Sequence, residues 1–330
     1  MKRTRYTGGG FFSNILGTER GAHNAGLDII LSTDIDDTAE EAHPYLKTSP
    51  SELFIREDIY NLHWGDIRRD KLKDIQRILS KNGIYMRRGE LDVLMGGPPC
   101  FGITLLSNNR SLFSHFNFLM LQMLRLIKEM QPKVVLMEQV PMLLSQQMKP
   151  FFYLLVDAIN KLGNYEWSCK TLNAKNFGCN QSRERVIFIL VRKDLGVKPS
   201  FPEPQAVDLN KQSAYNVIGA ELIKYKERPN HEGKRVQRII NGKTNLFPTL
   251  TSGRVEIFRN GIWQDLTVED RKAVAHMQHF PQNTPFSDSW IAERLGLIVL
   301  PPFAEALCRH IITEILDKSA YAIQPNNKAA

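Results

Sequence analysis

The chain is poor in cysteine, and its cysteines stand far apart. Only four occur among 330 residues, Cys100, Cys169, Cys179 and Cys308, and no two form a CxxC pair. Disulfide-stapled domains and zinc sites need closely spaced ligands, so this spacing argues against both classes. We therefore expect reduced thiols, as in a cytoplasmic protein, and no metal site.

Long apolar runs and an export signal are also lacking. The basic start of the chain leads into three glycines, residues 8–10, where a secretory signal peptide would have an apolar segment. The most apolar long stretch, residues 112–127, contains His115 and Arg125 and is too polar to span a bilayer. We expect neither export nor a membrane partner.

Positive charge, by contrast, is in excess. The formal net charge is +8, while 42% of the residues are hydrophobic and 24% are charged, as in globular proteins. Such an excess suits a polyanionic partner such as nucleic acid, although charge alone does not identify one.

Strand-like and helix-like segments alternate through the first 190 residues. Short apolar runs predict strands over residues 29–33, 53–55, 91–95, 134–137 and 186–191. Helical patterns between them cover residues 22–26, 71–80, 111–130 and 150–162. This alternation is typical of an α/β fold with a mostly parallel sheet and helices on both faces.

The chain changes character after residue 195. Prolines break it into short pieces, and lysine and arginine become frequent. We predict a large domain over residues 1–195, a small irregular domain over residues 196–290, and a C-terminal segment, residues 291–330. Apolar residues at helical spacing within residues 303–316 predict a helix that returns to the first domain and packs on its sheet.

The tripeptide Pro98-Pro99-Cys100 carries the strongest chemical signal. It follows a buried-strand pattern and the pair Gly96-Gly97. The glycines permit close approach of a ligand, and the prolines stiffen the backbone. Because α/β sheets place their chemistry at the carboxyl ends of strands, Cys100 is a candidate functional residue and not only a packing thiol.

Several segments, in this order, resemble the DNA (cytosine-5-)-methyltransferase family. The first resembles its Phe-x-Gly-x-Gly cofactor loop, and later ones resemble its Pro-Cys, Glu-Asn-Val and Gln-x-Arg-x-Arg segments. The last ones resemble the return from its small domain to its final helix. In chain order the segments are residues 11–17, 97–100, 134–140, 181–189, 247–251, 266–281 and 300–304.

The resemblance implies a Rossmann-like, S-adenosylmethionine-dependent methyltransferase fold. Residues 1–195 would bind the cofactor and catalyse, and residues 196–290 would recognise the target. Asp34 would accept hydrogen bonds from the ribose hydroxyls, and Asp58 with Ile59 would hold the adenine, with Asp66-Ile67 as the weaker competitor. The implied cofactor contacts are Phe12, Ile15, Gly17, Asp34, Ile35, Asp58, Ile59, Gly97, Pro99 and Leu112.

The resemblance also implies covalent chemistry on cytosine. The thiolate of Cys100 would add to C6, so that C5 can accept a methyl group. Glu138 would share a proton with N3 if burial raises its pKa. Arg183 and Arg185 would bind the base oxygen and flanking phosphates and favour the thiolate. No metal is required, and the target base would have to be flipped out of the duplex.

A basic stretch, residues 224–243, is the predicted nucleic-acid contact through Lys234, Arg235 and Arg238. Double-stranded DNA is the expected partner. RNA remains an alternative, because the tRNA-directed branch of the family uses similar chemistry, and so does a non-catalytic homologue that binds DNA or another partner. We expect a monomeric cytoplasmic protein of bacterial or phage type that belongs to a restriction-modification system.

The chain departs from the family pattern at four positions that lie close in sequence to the predicted cofactor and catalytic residues. Asn14 and Leu16 stand where the family usually has glycines. Gln139 replaces the asparagine of Glu-Asn-Val, and Asn180 stands where a proline is usual.

Overall fold

The computed structural model describes residues 5–65, 73–99, 102–103, 114–226, 236–251 and 253–322. The strands are β1 (Thr7–Phe11), β2 (Asp28–Asp34), β3 (Leu53–Arg56), β4 (Leu62–His63), β5 (Lys73–Asp74), β6 (Val93–Gly96), β7 (Val134–Gln139), β8 (Tyr165–Asn173), β9 (Glu184–Arg192), β10 (Leu222–Lys226), β11 (Gln237–Asn241), β12 (Val255–Arg259) and β13 (Ile262–Asp265). The α-helices are α1 (Gly17–Asn24), α2 (Asp37–Leu46), α3 (Ile75–Lys81), α4 (His115–Met130), α5 (Lys149–Asn160), α6 (Leu209–Gln212), α7 (Ala214–Ile218), α8 (Val268–Val274), α9 (Asp288–Leu297) and α10 (Pro301–His310). Short 3₁₀ turns cover Pro141–Leu144, Ala174–Phe177 and Lys193–Leu195, and a π-helical turn, Ile311–Leu316, continues α10.

Seven strands form the central sheet, in the order β3-β2-β1-β6-β7-β9-β8. The first five lie parallel, β9 runs antiparallel to β7, and β8 runs antiparallel to β9. The prediction of an α/β fold with a mostly parallel sheet is confirmed. It places the carboxyl ends of β1, β2, β6 and β7 along one edge, where α/β folds bind ligands.

The strand β1 was not among the predicted strands, because its three glycines hide an apolar pattern. The structure shows why one of them is needed. A Cβ atom at Gly10 would overlap Glu19 Oε1 and would lie 2.9 Å from Ser13 Oγ. Glycine at this position lets the first turn of α1 lie directly against the strand.

The C-terminal helix packs against the first helix and the sheet. A Cβ atom at Gly21 of α1 would overlap the carbonyl oxygen of Pro301 and lie 2.6 Å from Ala304 Cβ. Cys308 Sγ lies 3.8 Å from Met95 Sδ on β6. Apolar side chains of α10 therefore complete the core on this side of the sheet.

A second, antiparallel sheet has the order β11-β10-β12-β13. Ile223 and Ile257 of its inner face belong to the same buried cluster as Ile187 of the central sheet. One hydrophobic cluster runs through both sheets, so it does not mark a boundary between two domains. The domain boundaries therefore stay a prediction.

One helical stretch, Asp288–Leu316, is long and apolar enough by length and composition to cross a membrane, but half of its apolar window is buried inside the fold. That burial is typical of a core helix, so the stretch is weak support for a membrane span.

Gly21→Ala should destabilise the protein by about 1–3 kcal/mol, because the added methyl group meets backbone atoms of α10 that cannot move aside. Gly9→Ala is the matched control, since its Cβ would find its nearest neighbour at 3.5 Å. Urea unfolding of both variants measures the difference. Equal loss of stability in the two variants would contradict the close helix crossing.

Candidate functional site

The loop between β1 and α1 has a backbone that usually requires glycine. Phe12, Asn14 and Leu16 have φ angles of 59°, 46° and 60°. These values lie in the left-handed region, which costs an L-residue roughly 1–2 kcal/mol. Asn14 and Leu16 stand where the family that the chain resembles usually has glycines, and both adopt backbone angles that favour glycine.

Asp34 at the end of β2 fixes this loop. Its Oδ2 accepts the backbone N–H of Asn14 at 2.8 Å, and its Oδ1 accepts the backbone N–H of Asp36 at 3.1 Å. Each carboxylate oxygen keeps a second lone pair for a ligand hydroxyl. Burial raises the pKa of Asp34.

The surroundings of Asp34 fit a nucleoside-type cofactor. Ile35 follows it, and its apolar side chain is 63% exposed. Asn14 Oδ1 is buried without a hydrogen-bond partner among the described residues. A ligand with donor groups and an aromatic ring would satisfy both features.

Four other predicted cofactor residues are among the described residues: Ile15, Gly17, Asp58 and Ile59. Ile15 is fully buried, and a Cβ atom at Gly17 would lie 2.5 Å from the carbonyl oxygen of Val299, so both support the loop from behind. Asp58 Oδ1 accepts the backbone N–H of Tyr60 at 3.0 Å.

Ile59 packs into a second buried hydrophobic cluster, distinct from the one that contains Ile187. Asp66, Ile67 and Leu112 lie outside the described residues.

The Pro-Cys segment is held from the neighbouring strand. Gln139 Nε2, at the end of β7, donates to the carbonyl oxygen of Pro98 at 2.6 Å. A Cβ atom at Gly97 would lie 3.2 Å from Glu138 Oε2. Pro99 is described and partly buried, whereas Cys100, the predicted nucleophile, lies outside the described residues.

Glu138 and Arg185 form an ion pair across neighbouring strands. Arg185 Nε contacts Glu138 Oε1, and its Nη1 donates to the carbonyl oxygen of Glu184 at 2.7 Å. Both side chains are mostly buried. The antiparallel pairing of β7 with β9 brings the two residues together, beside the segment that leads to Cys100.

Arg183 is placed differently. Its side chain is buried, and its Nη1 donates to the carbonyl oxygens of Gly296 at 3.0 Å and Leu250 at 3.4 Å. It therefore braces the start of β9 against α9 and the segment before β12. Its predicted contact with the base or phosphates stays a prediction.

The substitution of the family's proline by Asn180 introduces a backbone N–H that needs an acceptor. His276 Nε2 accepts it at 3.2 Å, which requires a neutral imidazole. Burial lowers the pKa of His276 to about 4. The sequence gives no signal for this pair, because the two residues are distant in the chain.

A second distant contact escaped the sequence analysis. Arg294 of α9 forms an ion pair with Asp36, and Trp290 Nε1 donates to Thr38 Oγ1 at 2.9 Å. This contact ties α9 to the residues that follow Asp34.

The predicted nucleic-acid contacts are only partly described. Arg238 is exposed on β11, an edge strand of the second sheet. Lys234 and Arg235 lie outside the described residues. Within the part of the chain that the structure covers, no group of three or more His, Cys, Asp or Glu residues could hold a metal ion.

Comparison with known proteins adds sequence relatives and a fold neighbour. The family model described as C-5 cytosine-specific DNA methylase matches residues 6–284. Similar curated proteins include Type II methyltransferase M1.HphI of Haemophilus parahaemolyticus, 30% identical over 63% of this chain and 50% of its own length. Type II methyltransferase M.XorII of Xanthomonas oryzae pv. oryzae is 29% identical over 61% of this chain and 44% of its own length.

The chain thus spans about half the length of the curated relatives it matches. A solved structure from E. coli, described provisionally as a DNA modification methyltransferase encoded within a prophage, matches with a TM-score of 0.67 at 18% identity. It covers 94% of this chain and 99% of its own, and this likeness shows the fold alone.

Stability should fall as the pH drops from 6.5 towards 5, because His276 has a pKa of about 4 when folded and 6.5 when unfolded. The unfolded chain then binds more protons, so protonation favours unfolding by roughly 1–2 kcal/mol over this interval. His276→Gln keeps an acceptor for Asn180 but does not titrate. Urea unfolding at both pH values should show a shallower pH dependence in this variant; an identical slope would contradict the assignment.

Proposed function

Since the chain belongs to the C-5 cytosine-specific DNA methylase family, we propose that it transfers a methyl group from S-adenosylmethionine to C5 of cytosine in DNA. The observation that carries this proposal is the meeting of Gly97, Glu138 and Arg185 at the end of the parallel sheet. The relatives' description as Type II methyltransferases supports DNA as the substrate.

The cofactor, when bound, supplies an electrophilic methyl group. Asp34 would accept hydrogen bonds from the ribose, and Asp58 with Ile59 would hold the adenine. The exposed side chain of Ile35 would offer a further apolar contact. The left-handed backbone at Phe12, Asn14 and Leu16 lets the loop approach the ligand closely.

Cys100 acts as the nucleophile on a cytosine that has been flipped out of the duplex. Its thiolate adds to C6, and Glu138 shares a proton with N3 as electron density moves into the ring. C5 would then take the methyl group, and the sulfonium would leave as a neutral thioether. A base would remove the C5 proton, the C5–C6 double bond would re-form, and the C6–S bond would break and return its electron pair to sulfur. Arg185 holds Glu138 and offers a cation to the base oxygen.

Gln139 positions the nucleophile in this scheme. By holding the carbonyl oxygen of Pro98, it fixes the two residues that lead into Cys100. The longer glutamine does this from the end of β7, where the family usually has asparagine.

Duplex DNA is the proposed partner, bound through the basic segment with Lys234, Arg235 and Arg238. The protein acts in the cytoplasm as a monomer and requires no metal.

A covalent trap tests the proposed nucleophile. DNA that contains 5-fluorocytosine should form a denaturant-resistant complex with the wild-type protein in the presence of cofactor, because fluorine cannot leave C5 as a proton does. Cys100→Ser should form none, since a hydroxyl is a much poorer nucleophile at neutral pH. The matched control, Cys169→Ser, changes a half-buried thiol away from the site and should trap normally. A complex with Cys100→Ser, or methylation without a trap in the wild type, would refute the mechanism.

Glu138→Gln should lower turnover about 10²- to 10⁴-fold, the usual loss for a positioned acid or base. The amide keeps the shape and can still meet Arg185, but it cannot exchange the proton. Single-turnover methylation rates measure the effect, with cofactor affinity expected to stay unchanged. A rate within threefold of wild type would leave Glu138 with a structural role only.

A further inference from the structure

A buried glutamate lies beneath the loop between β1 and α1, and the proposed mechanism does not use it. Glu19 stands in the first turn of α1 and is only 1% exposed. Its Oε1 occupies the space that a Cβ atom at Gly10 would fill, at the end of β1. Among the described residues no cation pairs with it, and its Oε2 has no hydrogen-bond partner.

The charged groups around Glu19 are unfavourable for a second negative charge. Asp34 on β2 and Glu52 before β3 both repel its ionised form, and the buried thiol of Cys308 on α10 also interacts with its charge. The Ser13 hydroxyl lies on the same side of Gly10 and favours the ionised form. Burial is the largest effect and raises the pKa of Glu19 to about 8, so the group is mostly protonated at neutral pH.

Glu19 is linked to the proposed cofactor residues by short contacts. Its neighbour Ser13 lies in the loop, and Ser13 Oγ accepts the backbone N–H of Thr33 at 3.2 Å. Thr33 immediately precedes Asp34. The backbone N–H of Ser13 in turn donates to the carbonyl oxygen of Thr33 at 3.0 Å. Because Ser13, Thr33 and Glu19 are all buried, a charge bound at this loop would act on Glu19 with little screening by solvent.

The methyl donor and its product differ by one positive charge. S-adenosylmethionine carries a sulfonium, whereas the demethylated product carries a neutral thioether at the same place. A cation near a buried carboxyl group favours the ionised form, and by linkage the ionised form favours the cation.

We propose that Glu19 is a charge sensor that lets the protein distinguish the methyl donor from its product. When the cationic donor binds, Glu19 loses its proton, and when the neutral product binds, Glu19 keeps it. The inference rests on the proposed function, because it requires this cofactor at the loop. It makes Glu19 a specificity-determining residue that favours exchange of spent product for fresh donor.

A consequence is a pH-dependent preference. The ratio of donor affinity to product affinity should rise between pH 6 and the pKa of Glu19 and then level off. The rise should be about tenfold for each unit by which the bound donor lowers that pKa. If Glu19 only filled the space beside Gly10, the ratio of donor affinity to product affinity would not change with pH in this way.

Isothermal calorimetry of the full chain in two buffers of different ionisation enthalpy counts the protons released on binding. At about pH 7.5, the donor should release up to one proton more from the wild type than from Glu19→Gln, and the product should release the same number from both. Protons exchanged by the ligand's own amino group contribute equally to both proteins, so they cancel in the comparison with Glu19→Gln. Glu314→Gln is the control, because Lys318 keeps the Glu314 pKa low and Glu314 does not act on Glu19. This variant should release as many protons as the wild type.

Difference infrared spectroscopy of the wild type gives a readout that needs no variant. The band of a protonated carboxylic acid should disappear when the donor binds and persist when the product binds. If both ligands bind and neither method distinguishes them, Glu19 is no sensor, while the proposed function stands. If neither ligand binds, the cofactor assignment fails and the inference fails with it.

Discussion

The ion pair between Glu138 and Arg185 organises the end of the sheet at which the chemistry is proposed. It joins β7 to the one neighbour that runs against it, so the reversal of β9 is what brings the arginine back to the carboxylate. Glu138 is held by Arg185, and the next residue, Gln139, holds the carbonyl oxygen of Pro98. Two consecutive side chains of β7 therefore supply the proposed acid and the contact to the segment that leads to Cys100. Removing one member of such a mostly buried pair leaves the other charge uncompensated.

The departures from the family pattern are matched by local compensation. Asn14 and Leu16 adopt left-handed backbone angles that glycine adopts easily. Leu16 buries its side chain in the core, and Asn14 donates its backbone N–H to Asp34. Asn180 brings a donor that proline lacks, and His276 accepts it. Each altered residue is therefore accommodated by contacts within this chain.

Most of the sheet was predictable because its strands are short apolar runs between turn residues. The strand β1 was not, since glycine carries no hydrophobic pattern, and neither was β8, whose exposed Glu166 and Lys170 interrupt it. The place of Asp34 at the end of an apolar strand was predictable, while its role toward a cofactor stays a prediction. The pairing of Glu138 with Arg185 was open to prediction only through the family resemblance, because local patterns carry no information on contacts between distant strands.

Neither the burial of Glu19 nor the contact of Arg294 with Asp36 could be predicted from the sequence. A glutamate in a first helical turn is usually an exposed favourable charge. Here its burial depends on glycine in the adjacent strand, which only the packed structure reveals. Arg294 meets Asp36 because α9 folds back over the start of α2.

The proposal that this chain methylates C5 of cytosine in DNA is tested most directly by incubation with a methyl-labelled cofactor and separate pools of DNA and tRNA. Nucleoside mass spectrometry of each digested pool then identifies the labelled base. Label confined to 5-methylcytosine from DNA is the predicted result. Label in tRNA alone, on another atom of the base, or nowhere despite bound cofactor would contradict the account.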